Sequence, residues 1–557
     1  MRWLLWFAAG VMALTSLPYL LAFFSQGDGW VFTGFLFGIE DGNSYIAKML
    51  DGSQGAWLFR SPYTAYPQRG LLAFLPYILL GKLAAPPGTH EQLVSLFHMF
   101  RFLAGYLEII AVYLFVSQFI TSPRLRRVAL ILATLGGGLG WLVILLSQQP
   151  LYGSIPLEYY SPESFGFLSL YGLPHLSLGR AALLFGLRAY LRGLEADNIY
   201  NRHVLQSGLW GILAIIAQPL TGIIFGLVIF LHWFMTCISF ARRHSEATIN
   251  AWPAAVRTTL YTGLLMSITA PLLAYYFLSF IQDPFLKAWT GQNRILSPHP
   301  IHYVIAYGWL LPLVILGGRI LIREVPGRAW LPTTWLLVFP ILAYAPFNLQ
   351  RRLPEGIWVA ISVLAVKWFD RSEVLLILDS NHNPLVQSLP APYLRLQAVL
   401  PWVVVFLSLP SSLILLLGGF NVAIQPGLPA FHPVDEVSAF QALSEHVASD
   451  DVVLTSYQTG NALPAWAGVR VLVGHGPESI YLDGLLPRVA SFYSGNVSDD
   501  YRREFLDEFS VRFVFWGPNE RFERAWDPIR AGYLNLIYDS GEYQIFEVLS
   551  FQDRSTW

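Results

Sequence analysis

The 557-residue sequence predicts a mainly α-helical, polytopic membrane bundle of about eleven spanning helices, followed by a small C-terminal extracytoplasmic α/β domain. Three observations predict it. Hydrophobic residues make up 54% of the chain and charged residues only 13%, with a mean hydropathy of +0.48, whereas a soluble domain carries about 25% charge. Apolar runs of spanning length recur as far as residue 419. The charge is also unevenly spread: residues 432–557 hold 19 acidic and 9 basic side chains, about 22%, against about 10% over residues 1–431. The chain therefore divides into a membrane-embedded part, 1–431, with an outer loop over 25–93, and a soluble part, 432–557. The single cysteine, Cys237, excludes a disulfide framework or a Cys-based metal cluster.

The run from Trp3 to Phe24 is too long for a signal-peptide core and lacks a small-residue cleavage site, so it reads as the first crossing. Ten more stretches follow, near 94–120, 128–147, 176–193, 204–218, 219–240, 256–281, 301–322, 330–346, 355–369 and 396–419. At Gln218-Pro219 a proline either separates two crossings or kinks one. Basic residues of short loops collect on the cytoplasmic side. With Arg2 inside, Arg124, Arg126, Arg127, Arg192, Arg202, Arg242, Arg243, Arg323, Arg328, Arg371 and Arg395 fall inside too. That holds only if Gly70–Ala84, with Pro76, Lys82 and the following Pro86-Pro87, lies on the outer surface as an interfacial helix. The tail alternates a helical pattern, Val434–Ala448, with β-branched runs at Val452–Ser456, Val469–Val473, Val511–Trp516 and Leu534–Tyr538.

On this topology the cytoplasmic loops are short, the longest running from about Asp370 to Arg395, and leave no room for a nucleotide-binding domain. No phosphate-binding glycine loop, H-E-x-x-H motif, internal repeat or nucleic-acid-binding pattern is present. Chemistry is expected on the outer face of a multi-pass plasma-membrane protein.

There the first loop carries Glu40 and Asp41 between Gly38 and Gly42. Adjacent carboxylates can take a proton from an acceptor hydroxyl or hold a hard cation; they also suit a solvated turn that caps the helix beginning at Asn43. The turn Asn348–Pro354 puts Arg351 and Arg352 at the outer boundary, against the charge trend. Guanidinium forks bind phosphate in two-pronged fashion, and they also snorkel to lipid headgroups. Glu158, Glu163, His175, Arg180, Arg294, His299 and His302 are further outer candidates. Arg101 and Glu108 inside a crossing are costly unless they face a cavity or each other. In the tail, Val473–Ser479 brings His475 and Glu478 together with two glycines. An external transferase has no nucleotide pool, so its donor must be activated before it crosses; a group carried on a lipid phosphate meets that need. A transporter or lipid-carrier flippase, or a noncatalytic membrane protein with a binding tail, fits the same charges placed along a pathway.

These motifs resemble the GT-C glycosyltransferases, in particular the branch of protein O-mannosyltransferases and lipid A aminoarabinose transferases. That branch opens with one helix and an outer loop reading D-E-x-x-Y, then a helix and G-x-W. Asp41 and Tyr45 keep its Asp-to-Tyr spacing, and Leu50, Gly52, Gly55 and Trp57 follow. Gly42 stands where the family has Glu, while Glu40 precedes Asp41. Tyr66-Pro67, Leu71–Gly81, Arg101-Phe102 and Gln350–Pro354 match the family's later features over roughly residues 1–370. The resemblance implies a hexosyl- or pentosyltransferase taking a polyprenyl-phosphate-linked sugar to an extracytoplasmic lipid, glycan or protein. Asp41 and Glu40 would be catalytic, and Arg351, Arg352, Tyr45, Lys48, Arg101 and His475 would contact substrate. A divalent cation, held by Asp41 if at all, is compatible with the chemistry but not required. Partners would be the lipid-linked donor, membrane lipids and the acceptor, with no nucleic acid.

Overall fold

The computed structural model describes residues 1–147, 149–196, 198, 200–243, 252–379, 391–521 and 526–549. All eleven apolar stretches fold as helix, yet eleven crossings are not supported. Among the described residues, six helices are long and apolar enough to cross a membrane: Arg2–Ser25 (α1), Thr89–Val116, Pro219–Ser239, Ala255–Gln282, Ile301–Glu324 and Val399–Ala423. A seventh arises if Pro123–Leu135 and Gly140–Leu146, bent by 49°, count as one span. The other helices fall short for visible reasons. Pro174–Glu195 carries Arg180, Arg188 and Arg192, Arg202–Ala217 has only 16 residues, and Pro326–Ala343 holds two internal prolines and Arg328. Ile357–Asp379 places Lys367, Asp370 and Arg371 within one spanning length. Residues 380–390 of the loop expected to be cytoplasmic, and the side chains of Arg242, Arg243, Arg371 and Arg395, lie outside the described residues.

Pro219 does separate two helices. Gln218 is extended (φ −159°, ψ 114°), and the chain doubles back so that Phe225 comes against Gly211. Leu75–Gly81 has seven residues, about 10 Å of helix, too short to cross.

By internal packing the chain forms two units. The first comprises Met1–Ser16, Phe100–Phe277 and Ile295–Gly418. Its core joins Leu4, Met12, Val112, Leu184, Phe225, Trp335 and Trp358, all within 1% of full burial. Its most deeply buried arginine on that core is paired. Arg180 binds Glu108 at 3.0 Å and Glu355 at 2.7 Å, which is how a helix rich in arginine tolerates an apolar setting.

The second unit comprises Leu17–Met99, Leu278–Arg294 and Gly419–Trp557, so the first outer loop and the tail fold together. Trp30–Phe32 (β1) pairs antiparallel with Phe431–Pro433 (β2), Val31 opposite His432. The tail's five-stranded sheet runs β4-β3-β5-β7-β6, from Val452–Leu454 (β3), Arg470–Val471 (β4), Val511–Trp516 (β5), Leu534–Asp539 (β6) and Gln544–Val548 (β7). β3, β4 and β5 are parallel, and β7 runs antiparallel to both β5 and β6. The expected helix ends at Ser444 rather than Ala448; β7 and the helices Leu482–Tyr493 and Asp499–Glu508 were not expected.

In the same unit, Ile39–Ser53 (α2) crosses Leu75–Gly81 (α3) at backbone contact. A Cβ on Gly52 would sit 2.1 Å from the Ile78 carbonyl oxygen, and one on Gly81 would sit 1.8 Å from that of Met49. Only glycine permits that approach.

Candidate functional site

The site in the second unit is built on one face of α2. Asp41, Ser44, Lys48 and Asp51 recur at steps of three, four and three residues, which places them along one stripe of the helix. Glu40 and Asp41 occupy the first turn, where the unsatisfied amides favour anions.

Opposite the stripe lies the loop Gly474–Ser479. Ser479 Oγ accepts from the amides of Gly474 (3.0 Å) and His475 (3.1 Å), and the Ser479 amide donates to the His475 carbonyl at 2.8 Å. The loop is pressed against the helix Tyr457–Ala462: a Cβ on Gly474 would meet the Gly460 carbonyl oxygen at 2.3 Å. Gln292, at the end of the helix Pro284–Gln292, latches the loop. Its amide nitrogen donates to the carbonyls of Gly476, Pro477 and Ser479, and its oxygen accepts from the Tyr481 amide at 3.0 Å.

The loop thus carries His475 to Asp41. The imidazole is buried, its Nε2 lies 3.2 Å from Asp41 Oδ1, and the Asp41 side chain is 50% exposed. The other ring nitrogen, Nδ1, has no hydrogen-bond partner and faces Glu478 Oε1 at 4.0 Å. Glu478 accepts from Lys48 Nζ (2.7 Å), Ser44 Oγ (2.9 Å) and Ser61 Oγ (3.0 Å). Burial alone would push this carboxyl's pKa up, but the Lys48 ammonium, with His475, holds it below the usual value. The imidazole therefore sits between a solvent-reaching carboxylate and a buried one that stays ionised. Glu40 is exposed and accepts from the Tyr457 hydroxyl at 3.2 Å. Burial, then the Glu40 carboxylate, keep that phenol protonated by raising its pKa. Asn461 bridges Asn43 Nδ2 (2.8 Å) and the Glu40 carbonyl (3.4 Å).

The remaining expected contacts are placed as follows. Lys48 is fully buried, also bonded to Ser44 and set over the Phe74 ring at 4.4 Å. Tyr45 is buried in a stack with Tyr77, centroids 4.6 Å apart. In the first unit, Arg101 is buried and donates to Thr15 Oγ1, Ser16 Oγ and the Leu170 carbonyl, not to Glu108. Arg351 and Arg352 form the turn Gln350–Arg352 of that unit. The Arg351 guanidinium lies 4.5 Å over the Tyr160 ring with Nε unpartnered, and Arg352 Nε stands 3.2 Å from Glu163. His299 stacks on Tyr152, and His302 bonds the Leu151 carbonyl. Structure brings Asp41, His475, Lys48 and Glu478 into one chain of contacts.

Sequence reading missed Gln292, Asn461, Tyr457 and Ser61 as supports; none carries a local motif. Among the described residues no group of three His, Cys, Asp or Glu side chains is arranged to hold a metal ion.

No family model and no curated protein matches the sequence. Solved structures do. The apo oligosaccharyltransferase from Archaeoglobus fulgidus is similar at a TM-score of 0.54 and 12% identity, over 91% of this chain and 69% of that one. The oligosaccharyltransferase AglB from the same organism, in complex with an inhibitory peptide and a dolichol-phosphate, scores 0.53, with the same identity and coverage. ArnT from Cupriavidus metallidurans bound to undecaprenyl phosphate aligns at 0.48 and 13% identity, over 97% and 98% of the two chains. The chain shares its fold with these archaeal oligosaccharyltransferase structures.

Proposed function

We propose that this chain is a membrane glycosyltransferase that moves a hexosyl or pentosyl group from a polyprenyl-phosphate-linked donor to an extracytoplasmic lipid, glycan or protein. The observation that carries the reading is the Asp41–His475 pair: a half-exposed carboxylate on the first turn of α2, bonded to a buried imidazole on a latched loop. The fold is shared with an enzyme captured with a dolichol-phosphate and a peptide, which supports the donor class.

In the reaction the acceptor's nucleophilic atom attacks the anomeric carbon of the sugar. The bond from that carbon to the phosphate oxygen breaks, its electron pair leaves with the lipid phosphate, and the acceptor proton passes to Asp41. His475 orients the carboxylate. In the first unit, Arg351 and Arg352 are the residues whose guanidinium forks suit a lipid phosphate. Lys48 and Tyr45 position α2, and Arg101 positions its own helix.

Asp41→Asn in the purified full-length protein should abolish transfer from a polyprenyl-phosphate sugar while leaving the melting temperature unchanged. Near-normal turnover sinks the assignment. Mass spectrometry of envelope glycoconjugates with and without the gene identifies sugar and acceptor.

A further inference from the structure

Beside the far end of α2, within the second unit, lies a cavity of about 690 Å³ that the reaction above does not use. Its size falls in the range of small-molecule and cofactor pockets, about 300–1,000 Å³. Asp51, Gln54, Trp57, Arg60, Asp450 and Arg470 supply its chemistry. Ten residues of helix separate Asp41 from Asp51, about 15 Å along the axis.

The cavity carries groups of both signs, Asp51 and Asp450 facing it together with Arg60 and Arg470. A phosphate or other anion would meet Asp51 and Asp450, and an organic cation would meet Arg60 and Arg470. A neutral ligand rich in hydroxyls satisfies both, since a hydroxyl donates to a carboxylate and accepts from a guanidinium. The groups are poised for exchange. Arg60 and Asp450 pair loosely, at 3.9 Å with side chains 60% and 77% exposed. Arg470 is anchored through Nε and one Nη to the carbonyls of Thr64 and Tyr66, leaving Nη1 outside those bonds. Trp57 lines the same cavity with 64% of its surface exposed. Lys82 Nζ lies 4.1 Å over the indole ring, and the opposite π face is the one that can take the C–H face of a sugar ring. Burial also raises the Asp51 pKa to about 7 against the pull of Lys48, so this carboxyl can donate as well as accept near neutrality.

We propose that this cavity is a glycan-binding site, distinct from the Asp41 centre, that takes a neutral oligosaccharide segment. The assignment rests on the transferase reading only for the source of that glycan, which is either the growing acceptor or the sugar chain of the donor.

The test uses the full chain in lipid nanodiscs, because glycoside detergents would compete. Saturation-transfer NMR is recorded with maltotetraose, chitotetraose, mannotetraose and galactotetraose as probes. At least one should receive saturation from the protein, and Trp57→Ala and the double variant Arg60→Ala/Asp450→Ala should each weaken it at least tenfold with unchanged melting temperature. Asp41→Asn should bind like the wild type, so loss of transfer and loss of this site are separable. In turnover assays Trp57→Ala should raise KM for the acceptor if the acceptor chain sits here, or for the donor if the donor chain does. Absence of saturation transfer to all four probes, or undiminished binding by Trp57→Ala, overturns the proposal.

Discussion

Removing one member of the Lys48–Glu478 pair tests both the packing and the site. Lys48 is fully buried, and its ammonium has Glu478 at 2.7 Å and Ser44 as its polar partners, with the Phe74 ring beside it. Glu478→Gln leaves that ammonium against a neutral amide. Stranding one charge of a buried pair costs about 3–5 kcal/mol. Lys48→Met should cost less, about 2–3 kcal/mol, because Ser44 and Ser61 still donate to the carboxylate and each such bond to a charged group contributes about 1.5–3 kcal/mol. Lys48→Met/Glu478→Leu, which removes both charges, should cost less than the sum by about 1–3 kcal/mol. For a folding unit of this size 1 kcal/mol moves Tm by about 2–4 °C, so Glu478→Gln should lower it by roughly 6–20 °C. The pH dependence has a definite sign. The folded pKa of Glu478 lies below its unfolded value near 4.5, so its contribution is full above pH 4.5 and disappears as pH falls through the folded pKa. The wild type should therefore lose its advantage over Glu478→Gln in acid. Thermal unfolding in nanodiscs at pH 7 and pH 3.5 reads both effects. A shift under about 2 °C at pH 7, or additive single and double variants, would refute the reasoning.

Asp51 has the opposite sign: burial raises its folded pKa from 3.8 to about 7, so folding disfavours the ionised form increasingly as pH rises from 3.8 to 7. Asp51→Asn should raise Tm at pH 8 by an amount worth at most about 4 kcal/mol and change little at pH 3.5; equal shifts at both values count against it. His475→Gln keeps a donor for Asp41 and removes the imidazole, so kcat should fall while Tm changes little; an unchanged kcat would leave His475 a structural role only. Arg351→Ala should raise the donor KM with little change in Tm, and Arg351→Lys should not restore it because the two-pronged fork is lost; a KM equal to wild type rejects the phosphate contact. Gly474→Ala should melt several degrees lower, since the new methyl must displace the Gly460 carbonyl; Tm within 1 °C would mean the loop yields freely.

Which parts of this molecule could be read from sequence follows from how local their signals are. The apolar stretches all became helices because a long run of Leu, Ile, Val and Phe has a local preference. Whether a helix also crosses depends on its partners. Pro174–Glu195 reads as spanning from residues 176–193, but Arg180 is served by Glu108, 72 residues away, and Glu355, 175 residues away. Such pairing leaves no mark near either residue. The same holds at the site. Glu40 and Asp41 are legible as adjacent acids in the loop 25–93, and His475 as a histidine among glycines. That His475 meets Asp41 across 434 residues, or Lys48 meets Glu478 across 430, was not. Gln292, one amide in a polar loop, becomes identifiable only when its three carbonyl partners are in place.

One signal was present and undervalued. Hydropathy treats Asp41, Ser44, Lys48 and Asp51 as four interruptions, yet at helical spacing they form a single polar stripe on α2. A stripe of that kind in contact with other chain segments must be partnered, because a buried polar atom left alone costs about 1–3 kcal/mol. Each position here has its answer: Asp41 has His475, Ser44 and Lys48 have Glu478, and Asp51 has the cavity. The helix that carries the candidate base is therefore held in register by the same contacts that lead toward the glycan cavity. A rotation of α2 that freed Lys48 from Glu478 would also withdraw Asp41 from His475, so catalytic geometry and the stability of the second unit are expected to be lost together in Glu478→Gln, and separately in Asp41→Asn, which leaves the buried pair intact.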